Sequence, residues 1–379
     1  MKLLMVSGDR QAAVGERGPF HSMQREFSRY FERVDVLCPR PSGEIRTRTI
    51  HGNVHLHPAP CGRLGMVNWI EGKGRELVAR HGHGLITSHD YGWFYNGLGS
   101  ARLSAATRVP YLSELHHVPG YPMAADLRER LDRAVARWYV GWARDRVLGF
   151  RVVNQEEMPG LLRRWGVPVA KIIVLPSLYV DLDVFRPAAG EVEPEQDVVF
   201  VGRMVANKRV ERILGALARL AREGLPLRAL LVGRGPRAAA LRDRAARAGL
   251  AGHVRFVDWV DSPSDLAEVY RRSRVCVCAS TCEGGPRFTV EAMASGTPVV
   301  STPVGVMGEL LGDGAAGRLC GFEERALAEA IALVLSDEER RREMGRAAVQ
   351  AARPFEYAAA IGNYARGLLR LAGEEASVA

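Results

Sequence analysis

Short apolar runs alternate with longer amphipathic stretches along the whole chain. In the first half the runs are Lys2–Val6, Arg33–Cys38, Gly84–Ser88, Val109–Leu115, Arg146–Val153 and Lys171–Pro176. In the second half they are Asp197–Gly202, Leu227–Gly233, Val254–Asp258, Arg274–Ala279 and Thr297–Ser301. Several are apolar at every position, as parallel strands covered on both faces must be. The stretches between them carry helical spacing. Such alternation predicts an α/β chain of doubly wound, Rossmann-like parallel sheets. The runs are too many for one sheet, so the pattern predicts two.

Residues 186–196 break the pattern: the stretch is polar, holds two prolines and has no period. We place the boundary there, with one domain over 1–184 and a second over 185–356. The remainder, 357–379, reads as a helix from about Tyr357 that packs back toward the first domain and ends in a frayed tail. In the stretch 126–150, Leu127, Leu131, Val135, Trp138 and Trp142 recur at helical spacing. A covered sheet needs such faces, so this one is expected to pack into the core rather than lie on a membrane.

The chain has 379 residues, 47% of them hydrophobic and 25% charged. That excludes an intrinsically disordered chain and is enough for a sizeable core. The formal charge is +9, and lysine occurs only at Lys2, Lys73, Lys171 and Lys208. The arginine excess suits an anionic partner, such as a nucleotide or a phospholipid surface, and equally suits a codon bias. The chain lacks a long basic run, which argues against a nucleic-acid tail. Cys276, Cys278 and Cys282 alternate through an apolar run and read as free core thiols, which fits a reducing cytoplasm. Met1–Val6 is too short an apolar run for a signal peptide and reads as a first strand.

Three strand ends carry chemistry. Gly202-Arg203 with Lys208 places two cations across one loop, fit to clamp a diphosphate. Gly233-Arg234-Gly235-Pro236-Arg237-Ala238 fits the G-x-G-x-x-A dinucleotide fingerprint, with Asp258 about 20 residues on, and so admits an NAD-dependent oxidoreductase. In the third, Glu283 belongs to a loop broken by Gly284-Gly285-Pro286. A helix from near Phe288 to Gly296 would hold Glu291 in its first turn. The amides of Phe288, Thr289 and Val290 would then face phosphate oxygens.

Together these motifs resemble the family 4 glycosyltransferases of GT-B architecture, over about 160 residues of matching order and spacing. The resemblance implies two Rossmann-like domains facing across a cleft. It also implies a retaining, metal-independent transfer of a sugar from a UDP- or GDP-sugar to a hydroxyl. It assigns Arg203 and Lys208 to the donor diphosphate, Glu291 to the ribose and Glu283 to the donor sugar. The base would lie by Gly233, Arg234, Trp259 and Val260. A glycine loop after the first strand would approach the phosphates, with Gly15 and Gly18 as nearest matches. His116, or else His117, would face the donor sugar from the end of the strand that closes at Leu115.

Asp181-Leu-Asp183 fits either an interdomain turn or the D-x-D of metal-dependent glycosyltransferases, and the turn is preferred. The implied acceptor is a glycan, a lipid-linked molecule or a small molecule. The implied place is the cytoplasm, with the inner membrane face also open. The rival to catalysis is a non-catalytic protein that binds nucleotide sugars or glycans.

Overall fold

The computed structural model describes residues 1–16 and 18–373. The Glu374–Ala379 tail lies outside the described residues. Strands β1 (Lys2–Val6), β2 (Arg33–Cys38), β3 (Arg48–Ile50), β4 (Val54–Pro58), β5 (Leu85–His89), β6 (Tyr111–Glu114), β7 (Gly149–Val152) and β8 (Ile172–Val174) form one sheet. Its order is β3-β4-β2-β1-β5-β6-β7-β8, parallel except for the β3 edge. Strands β9 (Gln196–Val201), β10 (Ala229–Val232), β11 (Val254–Val257), β12 (Ser273–Cys278), β13 (Val299–Ser301) and β14 (Gly317–Leu319) form the second. This sheet runs parallel throughout in the order β11-β10-β9-β12-β13-β14.

The expected fold class therefore stands, with three strands more than the apolar runs predicted. Two of the three are only three residues long, Arg-Thr-Ile and Gly-Arg-Leu, each with a single large apolar residue. The third, β4, carries histidines at alternate positions.

Each sheet reverses its winding once. In the first sheet β1 lies between β2 and β5, and in the second β9 lies between β10 and β12. Ligands of doubly wound sheets bind beyond the strand ends at such reversals. Here those ends launch residues 7–18 and 90–94 in one sheet, and 202–209 and 279–286 in the other.

The chain crosses between the sheets at Leu175–Glu195 and returns near Phe355, where the Val180 amide donates to the Phe355 carbonyl at 2.7 Å. The helix Tyr357–Leu371 then lies on the first sheet. Its Ile361, Tyr364 and Leu368 are buried in one cluster with Leu3, Met5 and Phe27.

The helix Leu127–Ala143 departs from expectation. Its buried face is Ala136, Tyr139, Val140 and Ala143, and not the leucine–tryptophan stripe. Leu127, Leu131 and Trp138 are 73%, 69% and 57% exposed. Small residues let the helix approach the sheet closely, and the Tyr139 hydroxyl anchors it by donating to buried Asp90 at 2.7 Å. Leu127, Leu131 and Trp138 are left facing outward, while Val135 and Trp142 are half-buried against the core.

Candidate functional site

Lys208 and Glu283 come from the two loops at the reversal of the second sheet, and their Nζ and Oε1 lie 2.5 Å apart. Both side chains are largely shielded, and the ammonium also sits 5.4 Å from the Phe288 ring centre. Asn207 ties the same loops together, its side-chain amide donating to the Cys282 carbonyl. His117 feels the charges of this group. Burial lowers its pKa, and the charges of Glu283, Lys208 and Arg203 act on it. Arg203 itself is exposed.

Glu291 lies on the helix Arg287–Ala294, which begins one residue earlier than expected. That shift moves Glu291 into the second turn. The Thr289 amide and hydroxyl both donate to the Pro286 carbonyl, so this amide is not free for phosphate. Phe288, Thr289 and Val290 bury their side chains. Burial raises the Glu291 carboxyl, while Arg287 and the Tyr270 hydroxyl, which donates to it at 3.3 Å, favour its charge.

Glu291 opens into a cavity of about 590 Å³ that also takes in Gly18, Tyr179, Phe185, Trp259, Val260 and Arg287. Its mostly apolar walls suit a flat heterocycle, and its one deep carboxylate suits ribose hydroxyls. Gly233, Arg234 and Gly15 do not line it. Gly233 has φ +148, and a Cβ there would meet the Gly202 carbonyl oxygen at 1.8 Å. Its amide already donates to the Val257 carbonyl. The glycine fingerprint therefore packs two strand-end loops together and offers no amide at Gly233 for a pyrophosphate, so the oxidoreductase reading loses its basis.

Arg287 was not singled out in the sequence. It lines the Glu291 cavity, a second cavity of about 190 Å³ beside His116, and a third of about 630 Å³. The third is bounded by Asp9, Arg10, His89, Tyr91, His116 and Arg151. The Arg287 guanidinium stacks 4.2 Å over the Tyr179 ring, which holds it at this junction.

His116 leans on a buried ion pair. Arg151 donates to Glu114 at 2.6 Å and to His116 Nε2 at 3.1 Å, and Tyr364 donates to the other Glu114 oxygen at 2.7 Å. Burial opposes the charge on Glu114, yet Arg151, His89 and His116 hold its carboxyl well below the usual range. Burial lowers His89 to about 4 and lowers His116 too, so both rings are neutral near pH 7. His89, Glu114 and His116 have metal-ligand spacing. The Arg151 guanidinium already occupies lone pairs of Glu114 and His116, so the cluster does not fit a metal.

The two sheets meet through Glu157, which accepts from the Gly305 amide at 3.0 Å, and through Glu309, which accepts from Gln155 and Glu156 amides. Burial pushes the Glu157 carboxyl up to about 8, with Glu283 and Glu309 adding to the Gly305-opposed shift. The folded state then keeps a proton the unfolded chain has released. This group's stabilising contribution is full below the ordinary carboxyl pKa and is lost as pH rises through about 8. Chemical denaturation across that window is expected to show stability falling with pH, and less steeply in Glu157→Gln. Equal slopes in the two proteins would remove Glu157 as the cause.

Residues 181–351 match the family model of the group 1 glycosyl transferases. The chain is 32% identical over 362 residues to a D-inositol 3-phosphate glycosyltransferase of Segniliparus rotundus, covering 90% of this chain and 71% of that one. The chain belongs to the group 1 glycosyl transferases. The Nocardia farcinica protein of the same name is 33% identical over 283 residues, 69% of this chain and 60% of its own length.

Among solved structures, sucrose-phosphate synthase from Thermosynechococcus elongatus aligns with TM-score 0.77 at 20% identity, over 95% of this chain and 96% of that one. HepE of Anabaena, in complex with UDP and glucose, aligns at 0.74 and 19% identity, over 98% and 100%. The architecture is GT-B. Among the described residues no helix is long and apolar enough to cross a membrane.

Proposed function

We propose that this glycosyltransferase moves a sugar, with retention at the anomeric carbon and without a metal, from a UDP- or GDP-sugar to a hydroxyl. The observation that carries the reading is the Lys208–Glu283 pair at a sheet reversal, with the Lys208 ammonium over Phe288 of the helix whose Glu291 lines the 590 Å³ cavity. The base and ribose take the cavity, with Glu291 accepting from ribose hydroxyls. The diphosphate lies toward Lys208, with Arg203 at the rim. As the anomeric C–O bond breaks, negative charge grows on the leaving oxygens and the ammonium stabilises it. Glu283 and His117 face the departing sugar. The acceptor enters from the third cavity, and its hydroxyl proton passes to the leaving phosphate.

That third cavity is lined by Arg10 and Arg287 against one acid, Asp9, with Arg151 in its wall already paired with Glu114. Such a lining suits an acceptor that is itself anionic, as the inositol 3-phosphate named for the relatives would be. Glycan and lipid-linked acceptors with a charged group fit the same chemistry. Free cysteines at all six positions suit a reducing cytoplasm.

Thermal shift against UDP, GDP, their sugars and NAD tests the donor assignment. A ligand at about 100 times its Kd stabilises by about 2.7 kcal/mol. The expected hits are UDP or GDP and one of its sugars. Stabilisation by NAD alone would overturn the reading. Arg287→Ala is expected to raise the donor KM about 10- to 100-fold, since a lost hydrogen bond to a charged group is worth about 1.5–3 kcal/mol. An unchanged KM for both donor and acceptor would take Arg287 out of the site.

A further inference from the structure

The helix Leu127–Ala143 has three distinct faces. Along a helix of about 3.6 residues per turn, Leu127, Leu131, Val135, Trp138 and Trp142 form one stripe. Arg130, Arg133, Arg137 and Arg144 form the stripe beside it, and all four are exposed. The helix's acids, Glu129 and Asp132, lie toward the protein side. Among the described residues no carboxylate pairs with Arg130, Arg133 or Arg137. Trp138 and Trp142 stack at 6.5 Å, and Arg146 lies 4.7 Å over the Trp142 ring.

We propose that this helix docks the enzyme on an anionic lipid surface. Exposed Leu127, Leu131 and Trp138, backed by half-buried Val135 and Trp142 and with arginines on the adjacent face, fit the boundary between acyl chains and headgroups. Arg130 and Arg137, which have no carboxylate partner among the described residues, complement lipid phosphates, while Arg133 also donates to the Gly120 carbonyl and Arg144 pairs with Asp145; each free cation adds to binding. A second copy of the chain fits less well, because a two-fold contact would set the arginine row against its own image.

The helix also starts beside the catalytic loop. The Met123 amide donates to the Thr281 carbonyl, and Arg209 donates to the Ala125 carbonyl. Docking would hold the cleft mouth close to the lipid, which rests on the proposed transferase reading only for its purpose and not for the binding itself.

Vesicle co-sedimentation tests this with phosphatidylcholine alone and with phosphatidylcholine plus phosphatidylglycerol. The protein is expected to sediment with the anionic vesicles, less so in high salt, and not with the neutral ones. Arg130→Gln with Arg137→Gln should weaken binding roughly 25-fold, from two lost surface cations. Leu131→Ser with Trp138→Ser should abolish it. Both variants should keep the donor-induced thermal shift and the turnover of a water-soluble acceptor, which separates folding and catalysis from docking. Undiminished vesicle binding by either variant would overturn the proposal. So would a solution dimer that Trp138→Ser disperses.

Discussion

Replacing Lys208 with alanine is expected to lower kcat by about 10²–10³, the cost of removing one donor aimed at developing negative charge. The side chain is held by Glu283 and by the Phe288 ring, so its charge is already placed before the donor arrives. The loss should fall on kcat and kcat/KM together, because the added charge on the leaving oxygens exists only in the transition state. Lys208→Arg should recover part of the rate, since the charge is kept while its fork geometry differs. Steady-state kinetics on both variants decide the matter. Full turnover by Lys208→Ala would show that the leaving group departs elsewhere.

The parts of this molecule that the sequence exposed are those whose signal is local. A strand covered on both faces is mostly apolar, so β1, β2 and the strands that lead to Lys208 and Glu283 were visible as runs, even with Asp35 buried inside β2. A strand end followed by Gly202 or by Gly284-Gly285-Pro286 marks a loop at the carboxyl end of a central strand, which is where chemistry collects. The short strands β3 and β14 lack that signal because three residues carry no period. The face of the helix at 127–143 misled for a related reason. Periodicity reports that large apolar residues share a side, and it does not report which side the fold covers. Ala136 and Ala143 allow close approach, and that criterion won.

Arg287, Glu157 and the Arg151–Glu114 pair were invisible because their roles come from distant partners. Arg287 matters through Tyr179, and Glu157 through Gly305. The dinucleotide fingerprint at Gly233 failed in the opposite direction, as a local pattern whose glycines are used for packing against Gly202 and Met204.

Arg151→Leu is expected to cost about 3–5 kcal/mol of stability, because one partner of a buried ion pair is removed and the other stays. Neither side chain of the pair is exposed to solvent. The cause can be read from the sign of the pH dependence. In the native protein Glu114 is held below the ordinary carboxyl value, so its contribution is present above that value and fades as pH falls. Without Arg151, burial is opposed only by His89, His116 and the Tyr364 hydroxyl, and it raises the carboxyl. Its contribution should then be present at low pH and be lost as pH rises, the reverse of the native slope. Denaturant titrations at acidic and neutral pH would reveal that inversion. A double variant with leucine at 151 and methionine at 114 should regain much of the lost stability, as apolar replacements of buried pairs often do. It should not regain activity if the acceptor cavity uses this guanidinium, because His116 would still lack the donor that fixes its ring.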